Sequence, residues 1–435
     1  MRDSMSFSRD ETVHLSMACI ILVGLASLLI CMMAEVSRFN AHPDEHLHFK
    51  AAQYYMSYWL PPKVGDASSA FTYSYFGISY LDEPDIVYFL AGKFTKVFSF
   101  TGVPLYLLTR AFNFLLFVVL FLILVKYSLQ FKIPLYGVLL LSPQIWYIFS
   151  YFNGDAFGFF VSICLLLEVL KLFRNPERAV PTMEMGLWLG LLVLAKRNYY
   201  VLIPVLGGAA VCHWMFFSKI EQRQDLLKKW LKVAFLAALI ALPKIVYQQG
   251  VNEFHFSEKR VVQMEKTAAP GFKPSEVTAS YSPWHVNMYA KGRPFQELLS
   301  VYQWHSLSFK SMAGVYSWMN VFSPIWYYWT IFLIYVLLFG RLLLPSRPFE
   351  VRELILLSIA LVGMVFSCVA SFLNSWTVAF QAQGRYLFPM FCIFLFLLAY
   401  RWEKLPKKLF YSAFLSTGFL SLWNFVFVGL SNIPR

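Results

Sequence analysis

The residues of this sequence most suited to chemistry lie in one short run, His42-Pro43-Asp44-Glu45-His46-Leu47-His48, directly after the first long apolar segment. Three of the chain's eight histidines and two adjacent carboxylates fall in this run. Such carboxylates could act as general bases or, together with the histidines, bind a divalent metal. Because ionisable side chains are costly near a bilayer, we interpret the run as a candidate functional site rather than a solvated loop.

The composition predicts the elements that must position this run. Of the 435 residues, 58% are hydrophobic and 14% are charged, and a membrane-spanning helix needs about 20 mostly apolar residues. We therefore predict an all-α, polytopic transmembrane helix bundle of about eleven spans, forming a single integral membrane domain over residues 1–435. The spans are expected near 14–34, 104–125, 133–151, 155–173, 183–195, 199–217, 231–248, 315–342, 353–373, 386–401 and 409–430.

Lysine and arginine residues indicate how these spans are oriented. They collect near 126–132, 171–178, 219–232, 341–352 and 401–408. Loops rich in Lys and Arg lie on the cytoplasmic side of a membrane, so we predict a cytoplasmic N-terminus and an outer C-terminus. The net charge of +13 is then mostly a topology signal, and we expect membrane lipids but no nucleic acid among the partners.

Two long loops, near 35–103 and 249–314, face outward in this topology. The first loop carries the polar run. It also contains apolar and aromatic residues at helical spacing near 49–56 and 86–94. Amphipathic segments of this kind are typical of helices lying in the membrane interface, so we predict interfacial helices in the first outer loop.

Further polar groups recur on the same predicted side. They are Asp82-Glu83-Pro84-Asp85, Asn153-Gly154-Asp155, Lys196-Arg197 and Gln383-Gly384-Arg385-Tyr386. Lys196 and Arg385 run against the positive-inside rule, so an anion at this face would explain them. Arg385 could grip a phosphate with two donors, whereas Lys196 would act as a point charge.

Several of these residues have structural interpretations that stay open at this point. Asp155 could cap the helix that follows it. Asp82, Glu83 and Asp85 could solvate a loop or favour a helix start. We interpret Arg197 as an interfacial side chain whose head reaches toward water.

An Asp-Glu pair directly after the first span, followed by an interfacial helix, resembles the GT-C superfamily of integral membrane glycosyltransferases. His42-Pro43-Asp44-Glu45 is similar to the His-Pro-Asp-Glu of its lipid-linked mannosyltransferase branch. A wider set resembles bacterial members of unknown or sugar-polymer-related role, and its order extends over most of the chain. That set is Pro43-Asp44-Glu45, His48, Asn153-Gly154-Asp155, Lys196 and Gln383-Gly384-Arg385-Tyr386-Leu387-Phe388-Pro389.

The resemblance implies inverting, single-displacement transfer of a sugar from a polyprenyl-phosphate-linked donor to a glycan, lipid-linked or small acceptor. It places the reaction at the outer face of a bacterial inner membrane, or in the lumen of the endoplasmic reticulum for a eukaryotic equivalent. Asp44 would be the catalytic base, and Glu45 would support it or bind a metal. The substrate-binding candidates are His48, Glu83, Asp155, Lys196, Arg385 and Tyr386, of which Lys196 and Arg385 would hold the donor phosphate. The chain shows no sizeable soluble outer domain after its last span, which favours a glycan, lipid-linked or small acceptor over a protein.

Two other function classes and the cofactor remain open. A divalent metal held by Asp44, Glu45 and His46 is possible, and a zinc hydrolase could use the His42–His48 run. That run lacks the paired histidines of a helical zinc motif, which disfavours the hydrolase. A transporter or flippase of a lipid-linked saccharide would place its site at the bilayer midplane, in broken helices or internal repeats, and the sequence indicates neither.

Overall fold

The computed structural model describes residues 9–174, 180–216, 221, 223–344 and 350–435, with side chains from residue 13 onward. Regular structure in these ranges is helical, apart from one two-stranded hairpin and one isolated bridge, which confirms the all-α prediction. The helices are α1 (Arg9–Val36), α2 (Glu45–Ser57), α3 (Val87–Phe98), α4 (Leu105–Phe131), α5 (Pro143–Ser150), α6 (Gly154–Arg174), α7 (Thr182–Val193), α8 (Leu202–Phe216), α9 (Arg223–Val251), α10 (Phe256–Thr267), α11 (Gln296–Ser300), α12 (Trp304–Gly314), α13 (Ile325–Leu343), α14 (Val351–Thr377), α15 (Pro389–Arg401) and α16 (Lys407–Asn424). Short 3-10 segments lie at Ala67–Thr72, Tyr80–Asp82, Ser99–Thr101, Leu135–Leu140, Arg197–Val201, Pro274–Glu276, Gly384–Leu387 and Trp402–Lys404, and a π-helical turn at Phe425–Leu430 continues α16.

Within the described residues, nine helical segments are long and apolar enough to cross a membrane. They overlap nine of the spans expected from the sequence, so the chain is a multi-pass membrane protein. The span expected near 315–342 begins later than predicted, at Ile325, because residues 315–322 form a hairpin. The other two expected spans, 133–151 and 183–195, are wrong as single long helices. The first is a 3-10 segment followed by the short helix α5, and the second is the twelve-residue helix α7.

Prolines explain the break in the first of these two segments. Pro134 precedes the 3-10 segment, and Pro143 begins α5 behind the side-chain cap of Ser142. The segment still runs the length of α1. The Tyr136 hydroxyl contacts Ser16 near one end of α1, while the Tyr147 hydroxyl bonds His42 just beyond the other end.

The short helix α7 packs parallel to α9. A Cβ added at Gly186 would lie 2.6 Å from Leu236 Cβ, and one at Gly190 would lie 2.8 Å from Ile240 Cβ. Small residues four positions apart let two membrane helices approach closely. Glycine at both positions therefore lets α7 lie directly against the longer helix.

Helices α6 and α15 form the centre of the bundle, and their side chains are almost all buried. The surrounding helices turn apolar residues outward, among them Leu28 of α1, Phe235 of α9, Leu333 of α13 and Val365 of α14. A bundle that is apolar on its outer surface is suited to lipid rather than water. Helix α6 begins within Asn153-Gly154-Asp155, and α15 begins shortly after Gln383-Gly384-Arg385-Tyr386. The two central helices therefore position these polar groups.

Residues from two of the predicted basic segments, 171–178 and 401–408, meet at one end of the bundle. At this end Arg174 donates to the Ala399 carbonyl at 3.0 Å, and the Lys404 ammonium contacts Glu353. Both long loops gather at the opposite end, called here the loop end. The basic residues Arg178, Lys219 and Arg347, which contributed to the predicted orientation, lie outside the described residues. Which end faces the cytoplasm remains a prediction.

Both helical segments predicted in the first long loop are present, as α2 and α3. They pack closely against each other, since a Cβ at Gly92 of α3 would collide with the Ala52 carbonyl of α2. The second long loop contains α10, α11, α12 and the start of an antiparallel hairpin, β1 (Val315–Tyr316) and β2 (Val321–Phe322), in which Val315 pairs with Phe322. The amide of Ala269 bonds the Tyr75 carbonyl at 2.9 Å, which joins the two loops.

Candidate functional site

Four charged side chains from distant parts of the sequence meet at the loop end. Asp155 Oδ2 lies 2.7 Å from Lys196 Nζ and 3.6 Å from Arg385 Nε, and Asp44 Oδ2 lies 3.7 Å from Arg385 Nη2. These four residues, called here the charged cluster, belong to the first loop, the start of α6, the turn before α8 and the turn before α15. The structure thus assembles the acids and cations that the sequence analysis selected.

Asp44 points its carboxylate away from the helix that it precedes. It occupies the cap position of α2 with a φ of 59°, in the left-handed region that non-glycine residues seldom adopt. Its carbonyl accepts from the amides of Leu47 and His48, but its side chain makes no cap hydrogen bond. The carboxylate is therefore free to face Arg385 and the cavity beside it, and strained backbone of this kind is often found at functional sites.

Asn153, not Asp155, caps helix α6. Asn153 Oδ1 accepts from the amides of Asp155 at 2.8 Å and Ala156 at 3.2 Å. The capping interpretation of Asp155 is therefore wrong. Its buried carboxylate lies in the first turn, where the helix dipole favours a negative charge, and pairs with Lys196 instead.

Arg385 is almost fully buried and only partly engaged. Its Nη1 donates to the Tyr151 hydroxyl at 3.1 Å, whereas its distances to the two carboxylates exceed hydrogen-bonding range. The ring of Tyr386 lies 5.6 Å from this guanidinium and 5.3 Å from Lys196 Nζ. A Cβ at Gly384 would collide with the Met312 main chain, so glycine lets this turn approach α12 and sets the position of Arg385.

His48 is buried beside the charged cluster, stacked on Tyr80 at 4.1 Å between ring centroids. Its Nδ1 bonds the Tyr88 hydroxyl at 2.9 Å. Burial lowers the pKa of His48 well below its usual value, and the charges of Lys196 and Arg385 lower it further. His48 is therefore a neutral imidazole at physiological pH.

Four buried polar atoms around the charged cluster have no hydrogen-bond partner in the described part of the chain. They are His48 Nε2, Asp155 Oδ1, Arg385 Nε and Asn198 Oδ1. Buried polar groups in folded proteins are rarely left unsatisfied. Such atoms also occur elsewhere in the described chain, and these four lie where a polar ligand beside the charged cluster could reach them.

Glu45 faces away from the charged cluster and forms a buried ion pair with Arg110. Arg110 Nε and Nη2 donate to the two oxygens of Glu45 at 2.6 and 2.9 Å, and Arg110 Nη1 donates to the carbonyls of Ala34 and Ser37. Both oxygens of Glu45 are therefore occupied by Arg110. The sequence analysis missed Arg110, although an arginine inside an apolar span is itself a signal.

The histidines of the opening run do not assemble a metal site. His42 directs one ring nitrogen to Ser37 and the other to Tyr147, both at 2.8 Å, and His46 Nδ1 contacts Asn40 Oδ1 at 2.9 Å. Among the residues that the structure describes, no three His, Cys, Asp or Glu side chains lie close enough to share a metal ion. Asp44, Glu45 and His46 are thus not brought together as a ligand set. His42 and His46, which a zinc hydrolase would use, bond other residues instead.

Glu83 and Asp85 lie at the edge of the charged cluster. Glu83 pairs with Arg197 at 2.9 Å and with Arg260 at 2.8 Å. The Arg197 side chain is 59% exposed, which is compatible with an interfacial side chain whose head reaches toward water. The pKa of Asp85 is raised to about 7, mainly by burial and also by the charge of Glu83. The charges of Lys196 and of the buried Lys244 of α9 act in the opposite direction. Lys244 was also missed, and it lies in an apolar span, as Arg110 does.

Two cavities meet at the charged cluster. The first, about 520 Å³, is bounded by Lys196, Arg197 and Asp85 and by apolar residues of α8 and α14 such as Pro204 and Phe366. The second, about 340 Å³, is bounded by Asp44 and by polar and aromatic residues of both long loops. Ile78, Tyr80 and Gln381 line both cavities. A ligand in one cavity is therefore adjacent to a ligand in the other.

Comparison with known proteins identifies the family of this chain. A family described as a predicted membrane protein (DUF2142) matches residues 37–394, and the chain belongs to it. No curated protein and no solved structure matches. The matched range contains the whole charged cluster.

The ion pair between Glu45 and Arg110 gives a stability prediction. In a Glu45→Gln variant Arg110 remains buried without its counter-charge, which costs about 3–5 kcal/mol. We expect the purified variant to unfold at a markedly lower temperature than the unsubstituted protein. A Lys229→Gln variant, which breaks an exposed pair with Asp225, should unfold close to the original temperature. Equal unfolding temperatures for the two variants would contradict the structural role of Glu45.

Proposed function

We propose that this member of the DUF2142 family is a GT-C-like glycosyltransferase that moves a sugar from a polyprenyl-phosphate donor to a hydroxyl-bearing acceptor at the loop end of the bundle. The observation that carries the proposal is the charged cluster between an apolar cavity and a polar one. Such an arrangement suits a reaction between a lipid-linked substrate and a water-soluble one. We expect the protein to work at the outer face of a bacterial inner membrane.

The first cavity supports the donor half of the proposal. Lys196 lines it, and Arg385 lies on the other side of Asp155, where it lines a separate small cavity. Asn198 also lines the first cavity, and its Oδ1 has no hydrogen-bond partner in the described part of the chain. The apolar wall of this cavity between α8 and α14 adjoins side chains that face lipid, such as Phe366. A polyprenyl chain would lie along this wall while its phosphate rests against the cations.

Asp44 supports the acceptor half. Its carboxylate borders the second cavity and is partly accessible, with 28% of the side chain exposed. A carboxylate in this position can accept the proton of an acceptor hydroxyl as the oxygen attacks the anomeric carbon of the donor sugar. The new glycosidic bond forms as the bond from that carbon to the phosphate oxygen breaks, which inverts the configuration at the carbon.

The cations stabilise the leaving group. The bond electrons pass to the departing polyprenyl phosphate, where Arg385 and Lys196 stabilise the added negative charge in a site largely shielded from water. Asp155 holds both cations in position through its buried carboxylate. Tyr151 orients the guanidinium of Arg385 through its hydroxyl.

A flippase for a lipid-linked saccharide is the alternative that shares the same donor chemistry. It would move the lipid between leaflets without breaking the bond from sugar to phosphate. Release of polyprenyl phosphate therefore separates the two functions.

The role of Asp44 predicts the effect of one substitution. An Asp44→Asn variant retains the size of the side chain but removes the proton acceptor, so we expect transfer from a polyprenyl-phosphate sugar to fall by about 10²–10⁴-fold. Purified protein is incubated with a panel of such donors, and released polyprenyl phosphate is quantified. Asp66→Asn is the matched control, because Asp66 is an exposed cap residue of the same loop, and it should retain activity. Near-normal release by a correctly folded Asp44→Asn variant would rule out Asp44 as the base.

Asp85 predicts a pH dependence of donor use. A Cβ at Gly154 would lie 3.1 Å from Asp85 Oδ2 and 3.8 Å from Lys196 Cδ, so the two side chains approach the same point. Below its pKa of about 7 Asp85 is neutral; above it, its charge competes with the donor phosphate for Lys196.

We therefore expect the KM for the donor to rise as the pH increases through 7. Asp85→Asn should flatten this rise while leaving kcat at low pH close to that of the unsubstituted protein. The KM is measured between pH 5.5 and about 8.5, a span that brackets this titration. An unchanged pH profile in the variant would remove Asp85 from this role.

A further inference from the structure

The second cavity has a composition that points to the kind of acceptor it takes. Its wall is formed by the start of α2, the segment Ser74–Tyr80, the hairpin turn at Trp318 and Met319, and the segment from Ala379 to Gln383. At about 340 Å³ it lies at the lower end of the range for small-molecule sites. It has room for the end of a glycan rather than for a long chain.

Asp44 is the one acidic residue that lines this cavity, and no Lys or Arg lines it, within the described ranges. His285 also lines it, but burial lowers its pKa, and the charge of Lys291 lowers it further, so the ring is neutral. The Lys291 ammonium is directed to the carbonyls of Ser282 and Pro283. Arg385, the nearest cation to Asp44, lies with Asp155 in the charged cluster.

Aromatic and uncharged polar side chains form the rest of the wall. Tyr75, Phe76, Tyr80, Trp318 and Phe380 contribute aromatic rings to it. Ser74, Gln381 and Gln383 add neutral hydrogen-bonding groups. Flat apolar faces with a few placed polar groups match a sugar ring, which has an apolar C–H face and a hydroxyl rim.

From this composition we infer that the second cavity is an acceptor subsite selective for an uncharged, hydroxyl-rich glycan end. The inference rests on the proposed function, in which Asp44 accepts the proton of the acceptor. A carboxylate or phosphate beside the reacting hydroxyl is disfavoured, because its charge meets that of Asp44. Arg385, which lies 3.7 Å from Asp44, is not part of the cavity wall.

The test is a binding measurement made without any donor. Purified protein is titrated with the methyl glycosides of glucose, mannose and galactose and with the corresponding uronates, which replace the CH₂OH group with a carboxylate. Tryptophan fluorescence is recorded, and Trp318→Phe identifies the part of the signal that arises in the cavity. Trp59→Phe, at an exposed position of the first loop, is the matched control and should keep the signal.

We expect at least one neutral glycoside to give a saturable signal that Trp318→Phe abolishes, and its uronate to bind about tenfold or more weakly. Asp44→Asn should bring the uronate to within a few-fold of the neutral sugar, since the repelling charge is gone. Equal or tighter binding of the uronate to the unsubstituted protein would overturn the inference. So would the absence of a Trp318-dependent signal for all three neutral glycosides.

Failure of the inference can be told apart from failure of the proposed function. A protein that binds neutral glycosides but releases no polyprenyl phosphate from any donor would contradict the proposed transferase activity. The inferred glycan subsite would still hold. Efficient transfer to a phosphorylated or carboxylated acceptor would contradict the inferred selectivity of the subsite. The proposed transferase activity would still hold.

Discussion

Buried charge at the loop end is the constraint on which the rest of the structure depends. Asp155 is fully buried and Arg385 nearly so, and an isolated charge in such a place would be prohibitively costly. Each is tolerable because Asp155 lies between Lys196 and Arg385, while Arg385 lies between two carboxylates and a tyrosine hydroxyl. Asp155 lies in the first turn of the central helix α6, and Arg385 lies in the 3-10 turn that precedes the central helix α15. The packing of the bundle therefore fixes the geometry of the charged cluster.

A second buried pair fixes the orientation of the first loop. Arg110 in α4 binds Glu45 and two carbonyls at the end of α1, those of Ala34 and Ser37. With Glu45 held inward, the left-handed turn at Asp44 directs the preceding carboxylate toward the second cavity. Two adjacent acids thus have opposite functions: one anchors the loop, and the other is available for chemistry.

The sequence was a sound guide to the class of fold and to the members of the charged cluster. Hydropathy located the nine long helices, and the alternation of basic loops implied that Asp44, Asp155, Lys196 and Arg385 share one end. It could not tell which acid of the pair faces the cavity, because that choice depends on a backbone angle and on Arg110, a distant residue. The short elements escaped hydropathy for a related reason, since Pro134 and Pro143 break a segment that is apolar throughout.

The proposed transfer reaction requires Lys196 and Arg385 to hold a lipid-linked phosphate. A cryo-electron microscopy map of the purified protein with added polyprenyl phosphate, the expected product, tests it most directly. We expect phosphate density in contact with Lys196 Nζ and the Arg385 guanidinium, with the prenyl chain between α8 and α14. Phosphate bound elsewhere on the protein, with these two side chains unchanged, would contradict it.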